Sequence, residues 1–160
     1  MWEYNRNLLE TSIDILVTIG QDGIITDVNS ATEKATGILR EKIIGTDFSE
    51  YFTEPDKARA GYKQVFDVGK VVDYELYLKN INGSSIPVLY NASVYKGNEG
   101  QIFGALAVAR DISAIKNMKT SLLILKIILN QSFNKKQRNY SLLIKNLLFK
   151  MKRKISEQLN

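Results

Sequence analysis

The chain has 160 residues, a formal net charge of +5, and neither histidine nor cysteine. Those two absences remove most transition-metal ligation, most nucleophile–base pairs and every disulfide, while the length suits one ordinary domain plus an appendage. Charge is unevenly placed: residues 1–111 hold 11 Lys/Arg against 16 Asp/Glu, whereas residues 112–160 hold 11 Lys/Arg against Glu157 alone.

In chain order, residues 4–12 suit a short amphipathic leading helix through Tyr4, Leu8 and Leu9. The alternating, β-branched run Asp14–Ile19 predicts a strand. Gln21-Asp22-Gly23 signals a hairpin, because glycine accepts the positive φ of a tight turn, and Ile24–Val28 returns. Asn29 or Ser30 caps a short helix through Lys34, with Glu33 spaced as in a capping box, and Gly37 ends it. Helical turns follow at Arg40–Ile44 and Asp47–Phe52. Pro55 opens a longer helix in which Ala58, Tyr62, Val65 and Phe66 share one face, and Gly69 closes it. Three strands complete the domain: Val71–Lys79, Ser85–Tyr95 and Gln101–Asp111, joined at Asn82-Gly83 and at residues 97–100. Two strands, several short helices and a three-strand meander predict an α+β domain with an antiparallel sheet.

The remainder changes character. Ile115, Met118, Leu122, Leu125 and Leu129 form a two-heptad coiled-coil seam that fails near Ser132–Lys136. A second amphipathic stretch runs through Ile144, Leu147, Leu148, Met151 and Ile155, with Lys150, Lys152, Arg153 and Lys154 between. The start, Met1-Trp2-Glu3-Tyr4-Asn5-Arg6, lacks the layout of a secretory signal. The longest apolar run, Leu122–Leu125, falls far short of the ~20 residues a spanning helix needs. A soluble, cytoplasmic protein is expected.

Several local patterns then converge. Gln21-Asp22-Gly23-Ile24-Ile25 runs into Asp27-Val28-Asn29-Ser30-Ala31; Gly37 is followed by Glu41 and Gly45; Asn82-Gly83-Ser84 sits between strands; and Gly104 leads into Arg110-Asp111-Ile112-Ser113. In this order and spacing the stretch resembles a PAS (Per-Arnt-Sim) sensory domain of the S-box type, found in prokaryotic signal-transduction proteins. The resemblance implies a five-stranded antiparallel sheet of order 2-1-5-4-3, a helical belt over one face and a small pocket between. The expected division is an N-terminal helical cap at 1–12, a PAS domain at 13–113 and a basic helical tail at 114–160.

The resemblance also restricts cofactors. Haem-binding members ligate iron through a histidine, and cysteinyl-flavin members form their adduct through a cysteine just after the Gly45 position, where this chain reads Thr46-Asp47-Phe48. The positions of flavin-contacting amides fall at Leu78 and Val88, both apolar. Haem and cysteinyl-flavin chemistry are therefore excluded, and the cofactor stays unknown: a neutral ligand, a non-adduct flavin or none.

On the same alignment the interior carries Tyr74, Leu76 and Leu78, then Ile86, Val88, Tyr90, Ala92 and Val94, then Ala105, Ala107 and Ala109, with Phe48, Tyr62 and Phe66 from the helices. Candidate ligand-contacting residues are Asn29, Phe48, Tyr62, Phe66, Tyr74, Leu78, Val88, Tyr90 and Ala107. The alanines leave either ligand space or room for the long helix, and close packing favours the second. For Asn29 the helix cap is the favoured role, and for the tyrosines packing with a satisfied hydroxyl. Asp111, Ile112 and Ser113 are the expected signal-transfer segment, and Asp111 also suits a helix start. Leu89, Leu106 and Val108, beside Tyr77 and Tyr95, face outward, so a cover is expected from the leading helix, the tail or a second copy in a homodimer.

Glu54/Asp56 and Asp73/Glu75 read as solvated carboxylates, and no triad, phosphate-cradling loop or phospho-acceptor histidine occurs, so no enzyme activity is expected. The function expected is a sensory module, related to sensor histidine kinase input domains, that binds a small neutral ligand or dimerises and relays a conformational signal to its C-terminal helix and a downstream signalling protein. The alternatives are an adaptor whose basic tail binds nucleic acid or anionic membrane, and a non-adduct flavin redox sensor.

Overall fold

A computed structural model of the protein describes residues 9–97 and 99–158, without the side chains of residues 155 and 158. Residues 4–8 of the expected leading helix, and Asn98 of the expected loop, lie outside the described residues; Leu9 and Glu10 are helical. The chain divides between Ala114 and Ile115 into two units, each taken by itself.

The first unit runs β1 (Ile15–Ile19), β2 (Ile25–Val28), α1 (Ser30–Thr36), α2 (Arg40–Ile43), a 3₁₀ turn (Phe48–Tyr51), α3 (Pro55–Val68), β3 (Lys70–Lys79), β4 (Ser85–Lys96) and β5 (Ile102–Asp111). The five strands form one antiparallel sheet in the order β2-β1-β5-β4-β3. Period-two alternation sends Ile15, Val17 and Ile19 of β1 to the core face. Register sets them opposite Ala109, Ala107 and Ala105 of β5. Small side chains at the sheet centre thus sit beside larger ones.

The turns are made where the sequence places them. Gly23 has φ 84°, and the β1–β2 hairpin closes through Gly20 N–H to Ile24 O at 2.8 Å. On edge strand β3 a bulge sets Val72 and Asp73 against Asn91, whose side-chain oxygen accepts from Asp73 N–H at 2.8 Å. In α3, Ala58, Gly61 and Val65 are buried. A Cβ added at Gly61 would lie 3.0 Å from the Tyr74 ring. The missing side chain therefore lets α3 lie against β3, and Tyr74 Oη donates to Lys57 O at 3.0 Å.

One local expectation fails. Asn29 caps α1, accepting from Thr32 N–H at 3.1 Å, but Glu33 does not reach back to complete a capping box. The Asn29 N–H already bonds Leu16 O at 3.1 Å as part of the sheet. Glu33 turns forward instead and accepts from Arg40 N–H at 2.7 Å, capping α2, whose flanking Leu39 supplies no side-chain acceptor. Asn29, 2% exposed, also accepts from Leu16 N–H at 3.0 Å and donates to Asp14 O at 3.0 Å and Leu9 O at 3.2 Å. Arg40 pairs with Asp27 and, at 3.1 Å, with Glu10, whose carboxylate accepts from Ser30 N–H at 2.9 Å. These bonds tie Leu9–Glu10 to the starts of α1 and α2.

The second unit belongs to α4 (Ser113–Gln158), one helix of 46 residues. It runs straight through the point where the heptad seam fails, because residues 112–160 contain neither glycine nor proline to stop it.

Two substitutions check this packing by urea unfolding. Asn29→Ala is expected to cost about 2–3 kcal/mol, as the cap is lost and buried partners go unpaired. Gly61→Val is expected to cost about 1–3 kcal/mol through displacement of Tyr74.

Candidate functional site

Between sheet and belt lies a cavity of about 20 Å³, room for roughly one water. Ala107 and Ala109 of β5, with Ile15 and Val17 of β1, form its sheet wall. Phe48 and Tyr51 close it from the 3₁₀ turn and Phe52 from just after it, Thr32 and Thr36 from α1, and Leu78 and Tyr90 from β3 and β4. Phe48 stacks at tilted angles on Phe52 and Tyr90, with centroids 4.9 and 5.5 Å away.

Most polar groups in this lining are occupied. Thr32 Oγ1 donates to Leu16 O at 3.0 Å, Thr36 Oγ1 to Thr32 O at 2.8 Å, and Tyr51 Oη shares a 2.7 Å bond with Thr46 Oγ1. Tyr90 differs. It is 1% exposed, and its hydroxyl is the one buried side-chain polar atom without a partner among the described residues. Burial pushes its pKa well above the ordinary phenol value, so the group stays a neutral hydrogen-bond donor.

The turn that carries Phe48 is held by charge. Asp47 accepts from Ser49 N–H at 2.8 Å and Ser49 Oγ at 2.7 Å. Arg59 of α3 donates to Ser49 Oγ at 3.0 Å and reaches Asp47 at 3.5 Å. The Ser49 hydroxyl above all, with the Ser49 N–H and Arg59, holds the Asp47 carboxyl below its usual range against the opposing effect of burial.

Of the candidate ligand residues, Phe48, Leu78, Tyr90 and Ala107 line the cavity together. The others lie outside that lining. Asn29 is engaged by backbone, and Tyr74 by Lys57. Tyr62 meets Phe66 edge-on at 5.7 Å and packs near the Gly23 turn. Val88 is buried in the sheet opposite Leu76. Thr32, Thr36 and Tyr51 are additions; the threonines' i, i+4 spacing, which puts them on one helix face, was the available signal.

At the end of β5 the Asp111 carboxylate accepts from Ser113 N–H at 2.7 Å, at the first turn of α4. Ile112 is buried and its N–H bonds Pro87 O at 3.0 Å. Leu89, Leu106 and Val108 are half-buried on the opposite sheet face. Leu106 shares a shallow hollow with Leu9, Glu10, Leu16 and Thr18. Among the described residues no cluster of three or more Asp, Glu, His or Cys is placed to hold a metal.

Because Asp47's pKa is depressed on folding from the ordinary 3.8, its contribution is present above that value and is lost as pH falls through the lower folded value. In acid unfolding monitored from about pH 5 to about pH 2, Asp47→Asn should therefore lose less stability than the wild type.

The sequence pattern of the PAS domain family matches residues 13–114. No curated protein sequence matches the chain. Among solved structures, the PAS domain of a protein from Colwellia psychrerythraea is similar at 21% identity and TM-score 0.62, over 71% of this chain and 98% of that one. A PAS domain from a two-component sensor histidine kinase is similar at 14% identity and TM-score 0.59, over 69% and 95%. An RNA-binding light-oxygen-voltage receptor is similar at 13% identity and TM-score 0.66, over 79% of this chain and 37% of that one. At these identities the structural likeness is one of fold. The family pattern, however, spans the same residues that build the sheet, the belt and the cavity: the chain belongs to the PAS domain family.

Proposed function

We propose that the PAS domain is the sensory module of a signal-transduction protein and that its stimulus is a small neutral molecule carrying a hydrogen-bond acceptor. The observation that carries this reading is the buried, unpartnered hydroxyl of Tyr90, a residue that lines an apolar cavity. A buried donor left unmade costs about 1–3 kcal/mol, and a ligand acceptor would relieve that cost. The apolar lining and the absence of a neighbouring charge select a neutral ligand. A flavin ring would have to displace more of this lining than a single-ring molecule does, which favours the smaller ligand over a non-adduct flavin.

Anything larger than water must move part of the wall. The 3₁₀ turn is the short element there, and it connects to the sheet through the Phe52–Leu78 bridge and the Thr53 N–H to Tyr77 O bond of 2.9 Å. On the sheet side, Ala107 and Ala109 lead along β5 to Asp111, Ile112 and Ser113 at the start of α4. A ligand that binds one arrangement of this wall better than another shifts the helix start by that difference in affinity and no more.

Tyr90→Phe tests the reading. Without ligand the variant should be about 1 kcal/mol more stable, since an unsatisfied hydroxyl is removed. Wild-type protein titrated by amide NMR with acetophenone should show shifts at Thr36, Phe48 and Ala107, and Tyr90→Phe should bind about tenfold more weakly. Equal binding of acetophenone and acceptor-free ethylbenzene, or no shifts at those residues with either, contradicts it.

A further inference from the structure

Helix α4 carries an apolar stripe longer than its heptad seam. Met118, Leu129, Tyr140 and Met151 recur at intervals of eleven, as do Leu122, Phe133 and Ile144. Leu125 and Leu147 lie on the same face, and Lys136 between them is the one interruption. Eleven residues make three turns with a drift of about 20°, so the stripe stays on one side of an almost straight helix. From Met118 to Met151 it extends about 50 Å. On the helix taken by itself, each of these nine apolar side chains is more than half exposed.

The charge around the stripe decides what covers it. Eleven Lys/Arg stand against a single acid, Glu157, and that acid pairs with Arg153 of the same helix at 2.9 Å. A second copy would bring basic flanks together with no carboxylates to answer them, where helix pairs of this kind normally match charges across the seam. Nucleic acid would answer the charge but offers no medium for a row of leucine, isoleucine and phenylalanine. An anionic bilayer surface answers both: acyl chains take the stripe, and lysine stems lie along it with their ammonium groups among the headgroups. No helix among the described residues is long and apolar enough to cross a membrane, so the helix lies on the surface. We propose that α4 binds along the surface of an anionic lipid bilayer, apolar stripe inward. This stands on the tail alone and is independent of the ligand reading.

The test is co-sedimentation of the full chain with vesicles of phosphatidylcholine, either alone or with about one quarter phosphatidylglycerol. Wild-type protein should pellet with the anionic vesicles, not with the neutral ones, and should be released as salt rises from about 0.05 to about 0.5 M. Combining Lys145→Gln, Lys150→Gln and Lys152→Gln should weaken partitioning about a hundredfold. Combining Leu122→Gln, Leu129→Gln and Leu147→Gln leaves the net charge intact and should weaken it at least as much; circular dichroism confirms that the helix is retained. Equal binding to both vesicle types, or to neither, overturns the proposal. So does RNA binding that survives the leucine changes without vesicle binding, or a dimer that the leucine changes dissolve without vesicle binding.

Discussion

The register that holds β5 between β1 and β4 is the constraint from which the PAS domain follows. It stacks Ala105, Ala107 and Ala109 along the centre of the core face and flanks them with Ile15, Val17 and Ile19 on one side and Tyr90, Ala92 and Val94 on the other. A one-residue slip would turn every one of these side chains to the opposite face. With the alanines in place, Phe48 and Tyr90 can meet over the centre of the sheet. Larger residues there would fill the cavity and press on the turn that bears Phe48.

The belt above this floor is held by polar groups at its ends and by apolar contact in its middle. Asn29 and Arg40 fasten one end, and Asp47 with Arg59 the other. Within that second cluster, Phe48 sits between Asp47 and Ser49 and is further placed by packing on Phe52 and by Phe48 N–H to Gly23 O at 3.0 Å.

Much of the fold was legible because its punctuation is chemical. Gly23, Gly37 and Gly69 take positive φ where the sequence marks turns and helix ends, and strand alternation assigns the two sheet faces. The site was legible only in part. Tyr74 and Tyr90 are direct cross-strand partners on the same face, so periodicity treats them alike. One hydroxyl meets the Lys57 carbonyl and the other meets nothing, a difference set by where α3 lies and not by either strand. Glu33 shows the same limit: its spacing fits a capping box, but the sheet had already taken the N–H it would have bonded. In the tail, a period of seven hid a longer period of eleven, and the absence of glycine and proline was the better guide to continuity.

The ligand proposal stands on Tyr90, whose buried hydroxyl has no partner and whose side chain lines the apolar cavity. A crystal structure of the protein soaked with acetophenone tests it most directly. The account predicts the carbonyl oxygen about 2.8 Å from Tyr90 Oη, with Phe48 and Phe52 displaced and the sheet register unchanged. A chamber still closed around its side chains, or a ligand seated elsewhere with Tyr90 still unpartnered, would contradict it.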